Sequence, residues 1–168
     1  MLKTDSRICG TVYLIEESGK RLIVDSGDGK VELGFKPDIC ILTHGHFDHS
    51  GGVKENWKRV LLHQKEFGFA GPYLKIPKNA EENPMSPLFF GSHVLEFFHT
   101  PGHTEGGICV FDRKTGILFS GDTKFADGGY GRTDLGGDDA KLAASLRLIK
   151  GISYSVLCPG HGKIEMKR

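Results

Sequence analysis

The chain has 168 residues, 26% of them charged and 38% hydrophobic. Those proportions exclude a disordered or membrane-embedded protein and, at roughly 100–200 residues per domain, point to one domain. Lys and Arg number 22 against 21 Asp and Glu, a formal net charge of +1, which is too weak a field to hold a polyanion or an anionic bilayer, so neither nucleic acid nor membrane is expected as a partner.

Residues 1–7 carry no apolar stretch of the signal-peptide kind and no run approaches a membrane span, so a cytoplasmic location is expected. In chain order, residues 11–15 and 21–25 flank the turn Ser18-Gly19-Lys20 and predict a β-hairpin. Ile39-Cys40-Ile41-Leu42 is apolar at every position, the pattern of a strand buried on both faces, and it runs straight into a group of histidines. Residues 50–58 read as a short helix, 60–63 as a strand and 65–69 as a helical turn, and this alternation makes an α/β chain. Pro72, Pro77, Pro84 and Pro87 break any period over residues 71–87, which predicts a long surface loop of the kind that borders sites. Strands follow at 94–99, 108–111 and 117–119. Leu142, Leu146 and Ile149 give residues 138–150 the spacing of an amphipathic helix, and a last strand at 155–158 ends at Pro159-Gly160-His161. Cys9, Cys40, Cys109 and Cys158 stand singly in apolar segments and read as buried reduced thiols.

The chemistry is concentrated at strand ends. Thr43-His44-Gly45-His46-Phe47-Asp48-His49 packs four potential metal ligands into six positions. Alternation on an extended chain puts His44 and His46 on one side, and the following turn can bring Asp48 and His49 toward the same space. Three imidazoles and a carboxylate without a thiolate suit Zn, Fe or Mn. Three later strand ends each set one ligand beside glycine: Gly102-His103, Gly121-Asp122 and Gly160-His161. Seven such side chains divide into two sets with one shared carboxylate, the composition of a two-metal hydrolytic site with ions roughly 3.5–4 Å apart.

On these motifs the chain resembles the metallo-β-lactamase superfamily from about Thr11 to Gly162. The resemblance implies an α/β fold, an αββα sandwich of two mixed β-sheets flanked by helices, with the site along the edge between the sheets. It implies two divalent ions, zinc first and iron or manganese as alternatives. His44, His46 and His103 would hold one ion, Asp48, His49 and His161 the other, and Asp122 would bridge them. Val24-Asp25-Ser26-Gly27 matches a family position whose aspartate ties loops together behind the site.

The stretches Ser120-Gly121-Asp122-Thr123-Lys124-Phe125 and Gly131-Arg132-Thr133-Asp134 resemble the glyoxalase II (hydroxyacylglutathione hydrolase) branch, especially its short one-domain members. The implied activity is thioester hydrolysis by a metal-bridging hydroxide, with Asp48 and Asp122 as the catalytic carboxylates. Two divalent ions, two carboxylates and a hydroxide sum to about +1, which suits a small anionic thioester. Arg132 is expected at the mouth of the site against the substrate's thiol carrier, with Tyr130 and Lys124 lining the same mouth; Lys124 replaces the branch's usual apolar residue. The chain ends seven residues after His161, so a single domain over residues 1–168 is expected, without the helical C-terminal glutathione-binding domain of full-length glyoxalase II. His63, His93 and His99 have no partner in the motifs and read as ordinary strand or surface histidines. The alternative is the persulfide dioxygenase branch, a mononuclear iron oxidoreductase that shares the motif set and the Gly-Arg-Thr-Asp run; Thr123 and Phe125 favour the hydrolase.

Overall fold

The computed structural model describes residues 10–30, 32–68, 71 and 73–167. Its elements are β1 (Tyr13–Glu17), β2 (Lys20–Val24), β3 (Ile39–Ile41), α1 (Phe47–Ser50), β4 (Val60–Leu62), α2 (Gln64–Phe67), β5 (Ala80–Glu82), β6 (Leu88–Phe90), β7 (His93–His99), β8 (Ile108–Asp112), β9 (Ile117–Gly121), α3 (Asp139–Lys150), β10 (Val156–Pro159) and β11 (Glu165–Met166). They form two mixed sheets, one ordered β1-β2-β3-β4-β5 and the other β11-β10-β9-β8-β7-β6. In the first, only β1 and β2 pair antiparallel; in the second, only β9 and β10 pair parallel.

The two-residue period of a strand explains why the central runs are apolar throughout. Leu22, Val24, Ile39, Ile41 and Leu61 point inward to meet Leu95, Ile108, Val110 and Phe119 of the second sheet. Ile23, Cys40, Leu42, Val60 and Leu62 point outward, where Trp57, Phe35 and Ile76 cover them. Fully burying one such side chain contributes about 1.5–3 kcal/mol. The outer face of the second sheet is covered by α3, which packs Ile149 and Leu146 against Cys109, Leu118 and Leu157. Asp138 caps this helix by accepting from the Lys141 N–H at 2.9 Å. Cys40, Cys109 and Cys158 are buried free thiols, and burial pushes all three up; Cys9 lies outside the described residues. No helix among the described residues is long and apolar enough to cross a membrane.

The helix expected over residues 50–58 is not formed. The helical segment is α1, which ends at Ser50, and the chain then turns. The Gly52 N–H donates to Gly27 O at 2.9 Å, and a Cβ on Gly52 would collide with the Ser26 carbonyl. Docking on the 26–28 loop therefore replaces helical winding. The loop expected over 71–87 is interrupted by β5, an edge strand paired with β4 and containing two glutamates that gave no strand signal. β11 was also without a signal.

β7, β9 and β10 run in one direction, so the segments leaving their C-terminal ends reach the same rim of the second sheet. The Ile108 N–H donates to Thr43 O at 2.9 Å and the Thr11 N–H to Gly160 O at 2.7 Å, tying the segment beyond β3 and the start of the first sheet to that rim.

Candidate metal centre

All seven sequence-predicted ligands converge at this rim. His44, His46 and His103 form one group, Asp48, His49 and His161 a second, and Asp122 groups with His44 and His49, with potential donor atoms in each group within 4.8 Å of one another. His46 Nδ1 lies 2.9 Å from His103 Nε2, and His49 Nε2 lies 3.2 Å from His161 Nε2. Asp122 stands between the groups: Oδ2 is 3.5 Å from both His103 Nε2 and His161 Nε2, and Oδ1 is 3.3 Å from His49 Nε2. Asp48 Oδ2 completes the second group at 3.1 Å from His161 Nε2.

The hydrogen bonds behind the rings decide what they present. His103 Nδ1–H donates to Arg132 O at 2.6 Å and His49 Nδ1–H to Asp25 Oδ2 at 2.8 Å. Thr43 Oγ1 donates to Asp25 Oδ2 at 2.9 Å and so receives His44 Nδ1–H at 3.1 Å. Deprotonated at Nε2, each of these rings turns a lone pair to the centre. Among the described residues, the buried His44 Nε2 and His46 Nε2 have no hydrogen-bond partner. Bare nitrogen lone pairs crowded on ionised carboxylates are the donor set of a cation, and unsatisfied buried atoms of this kind are costly without one. The residues present therefore fit divalent metal ions.

The electrostatics separate the imidazoles. Burial and the neighbouring rings His49 and His103 drive His44 well below the ordinary histidine value. Burial and His103 lower His46 to about 4. Burial opposes charge on His49 too, yet Asp122 and Asp25 outweigh it and hold that ring well above the ordinary value. Burial also works against an ionised Asp122, but His49, His161 and His103 keep it well below the usual carboxylate range. Asp48 is lowered despite burial, through its hydrogen bond from His161 and the nearby His49.

The sequence pattern of the metallo-beta-lactamase superfamily matches residues 10–161. The chain belongs to this superfamily. A hydroxyacylglutathione hydrolase of Citrobacter koseri is 35% identical to it over a match covering 88% of this chain and 59% of that relative. The chain thus spans less than two thirds of that relative's length. Among solved structures it is similar to the B3 metallo-beta-lactamase BLEG-1, with a TM-score of 0.79 at 29% identity over 96% of this chain and 90% of that one. It is similar also to TTHA1623, whose structure is of a di-iron-bound form, with a TM-score of 0.77 at 29% identity over 98% and 93% of the two chains.

In this superfamily member a cleft of about 580 Å³ opens directly over the ligands, walled by Phe47, Tyr73, Phe125, Tyr130, Arg132 and Leu135. Arg132 and Tyr130 both line it, and Arg132 is paired through both Nε and an Nη with Asp134. Lys124 stands apart from the residues that line the cleft, its Nζ donating to the Tyr154 hydroxyl at 3.1 Å. Tyr73 was missed, its only signal being its place in the proline-rich segment. That segment borders the site through the Phe47 N–H donating to Tyr73 O at 2.8 Å and a bridge between His46 and Leu74. Leu135 gave no signal. Asp25, read as a tie behind the site, is buried and bonds Thr43 and His49. His63, His93 and His99 stand outside the ligand groups; His63 caps α2 and stacks on His99, and His93 pairs with Asp112 at 2.7 Å.

Proposed function

We propose that this protein is a thioester hydrolase of the glyoxalase II type, acting on a small thioester with two divalent ions. The observation that carries the reading is Asp122, a buried carboxylate whose two oxygens face both ligand groups under an open cleft. The hydroxyacylglutathione hydrolase relative supports the thioester as the bond cleaved. Divalent ions bound there supply a water acidified toward pKa about 7 and a Lewis acid for the carbonyl oxygen.

The chain's own residues do the rest. The aromatic walls Phe47, Tyr73, Phe125 and Tyr130 flank the scissile group and hold it over the ligands. Asp48, on the cleft wall beside His161, accepts a hydrogen bond from the attacking water and so orients it. The Arg132 guanidinium at the mouth is placed to exchange Asp134 for an anionic group of the thiol carrier. A thiolate departs readily without a strong proton donor, and no separate general acid is required.

The test combines metal analysis of protein prepared anaerobically without added metal with a thioester assay on hydroxyacyl thioesters of glutathione and of a smaller thiol. Near two ions per chain with thioester turnover is expected. A single iron with oxygen uptake on persulfides and no thioester turnover would replace this reading with the dioxygenase one.

A further inference from the structure

Glu66 belongs to no motif in the sequence, yet its carboxylate bonds to the ligand loops. It lies in α2 and is fully buried. Its Oε2 accepts from the Gly45 N–H at 2.9 Å and its Oε1 from the Gly106 N–H at 2.8 Å. Gly45 separates His44 from His46, and Gly106 follows His103 by three residues. Both positions suit glycine because the carboxylate comes so close: a Cβ on Gly45 would lie 2.8 Å from Oε2, and one on Gly106 2.6 Å from the Glu66 Cγ. The short helix is itself anchored. His63 accepts from the Lys65 N–H at 3.2 Å, and its ring stacks on His99 at 4.2 Å with 6° between the planes. His99 Nε2–H in turn donates to Glu105 O at 2.9 Å, in the same loop as Gly106.

We infer that Glu66 is a positioning residue for the three-histidine half of the centre, setting the separation between the His44–His46 loop and the His103 loop. Asp25 backs His49 of the other half and, through the Thr43 hydroxyl, His44 as well. A carboxylate is required because it accepts on both oxygens, whereas the amide of glutamine turns an N–H donor toward one of the two backbone N–H groups. Glu66 bonds the backbone of the His44–His46 and His103 loops and none of the side chains of Asp48, His49 and His161, so disturbing it weakens one ion selectively. This concerns ion binding and stands on the metal assignment, not on the reaction proposed.

The experiment is a cobalt(II) titration of the chelator-treated full chain, followed by visible absorption, for wild type and Glu66→Gln. His46→Ala and His161→Ala identify which step belongs to which group, and thermal unfolding of the chelated proteins monitors the fold. The expected result is about 10–100-fold weaker binding at the three-histidine group with the Asp48–His49–His161 step changed less than about threefold. A residue that merely supports the fold would lower the unfolding midpoint and weaken both steps alike; that result, or two unchanged steps, overturns the inference. Should Glu66→Gln not fold, Gly106→Ala displaces the carboxylate without removing it and is judged by the same criterion. A wild type that takes up no cobalt overturns the metal assignment and this inference with it.

Discussion

Asp25→Ala removes the acceptor of three donors at once. Asp25 is 1% exposed, and its oxygens accept from the Thr43 N–H at 2.7 Å, the Thr43 hydroxyl at 2.9 Å and His49 Nδ1–H at 2.8 Å. The hydroxyl can rotate to another acceptor; the two N–H groups cannot. A buried donor left unpaired costs about 1–3 kcal/mol, so the pair costs about 2–6 kcal/mol. The backbone offers no relief, because residue 25 has φ +61°, a region no easier for alanine than for aspartate. Against a typical total of about 5–15 kcal/mol, this is a large fraction. The assay is urea unfolding of chelator-treated protein, followed by the fluorescence of the buried Trp57. With a slope near 2 kcal/mol per molar, within the range of about 1–3 for small proteins, the midpoint should fall by about 1–3 M at unchanged slope. A fall below about 0.3 M would refute the reasoning, since it would mean that Thr43 and His49 find other acceptors. Asp25→Asn, which keeps one oxygen, should fall between the two proteins.

Asp122→Ala should take metal content from about two ions per chain to below one, checked by elemental analysis; unchanged content would remove Asp122 from its place between the groups. Arg132→Ala should raise KM for an anionic thioester about tenfold while kcat stays within about a factor of two, and an unaltered KM in steady-state assays would take Arg132 out of substrate binding. Burial, with His99 and Lys65 nearby, lowers His63 to about 4 in the folded protein against an ordinary 6.5. Between those values the unfolded chain binds more protons, so stability of the chelated protein falls as pH is lowered from about 6.5 toward 4. His63→Gln should flatten that part of the urea-midpoint profile, and a profile parallel to wild type would show that His63 does not contribute to it.

The candidate ligands were legible in the sequence because each is marked by its local surroundings. His44 and His46 follow a strand with alternate residues between them, and His103, Asp122 and His161 each stand beside glycine where a strand ends. The same locality made the buried strands readable, since β3 and β4 are apolar on both faces wherever they are placed in a sheet. Asp25 was recognisable only through its family position. The course of residues 51–58 was decided by Gly52 docking on the 26–28 loop, a contact invisible to helical periodicity. β5 exists because β4 offers it a pairing edge, and its own residues argue against a strand. Lys124 turns to Tyr154, thirty residues away, while Tyr73 enters the cleft wall through hydrogen bonds to the ligand loop. Glu66 became part of the centre because two loops, 40 residues apart from it at the farther contact, fold onto one carboxylate. Residue type and spacing thus determined which atoms can bind an ion. The directions of the side chains around them depend on pairings between distant segments, whose free energy is realised only when the two sheets close on one another.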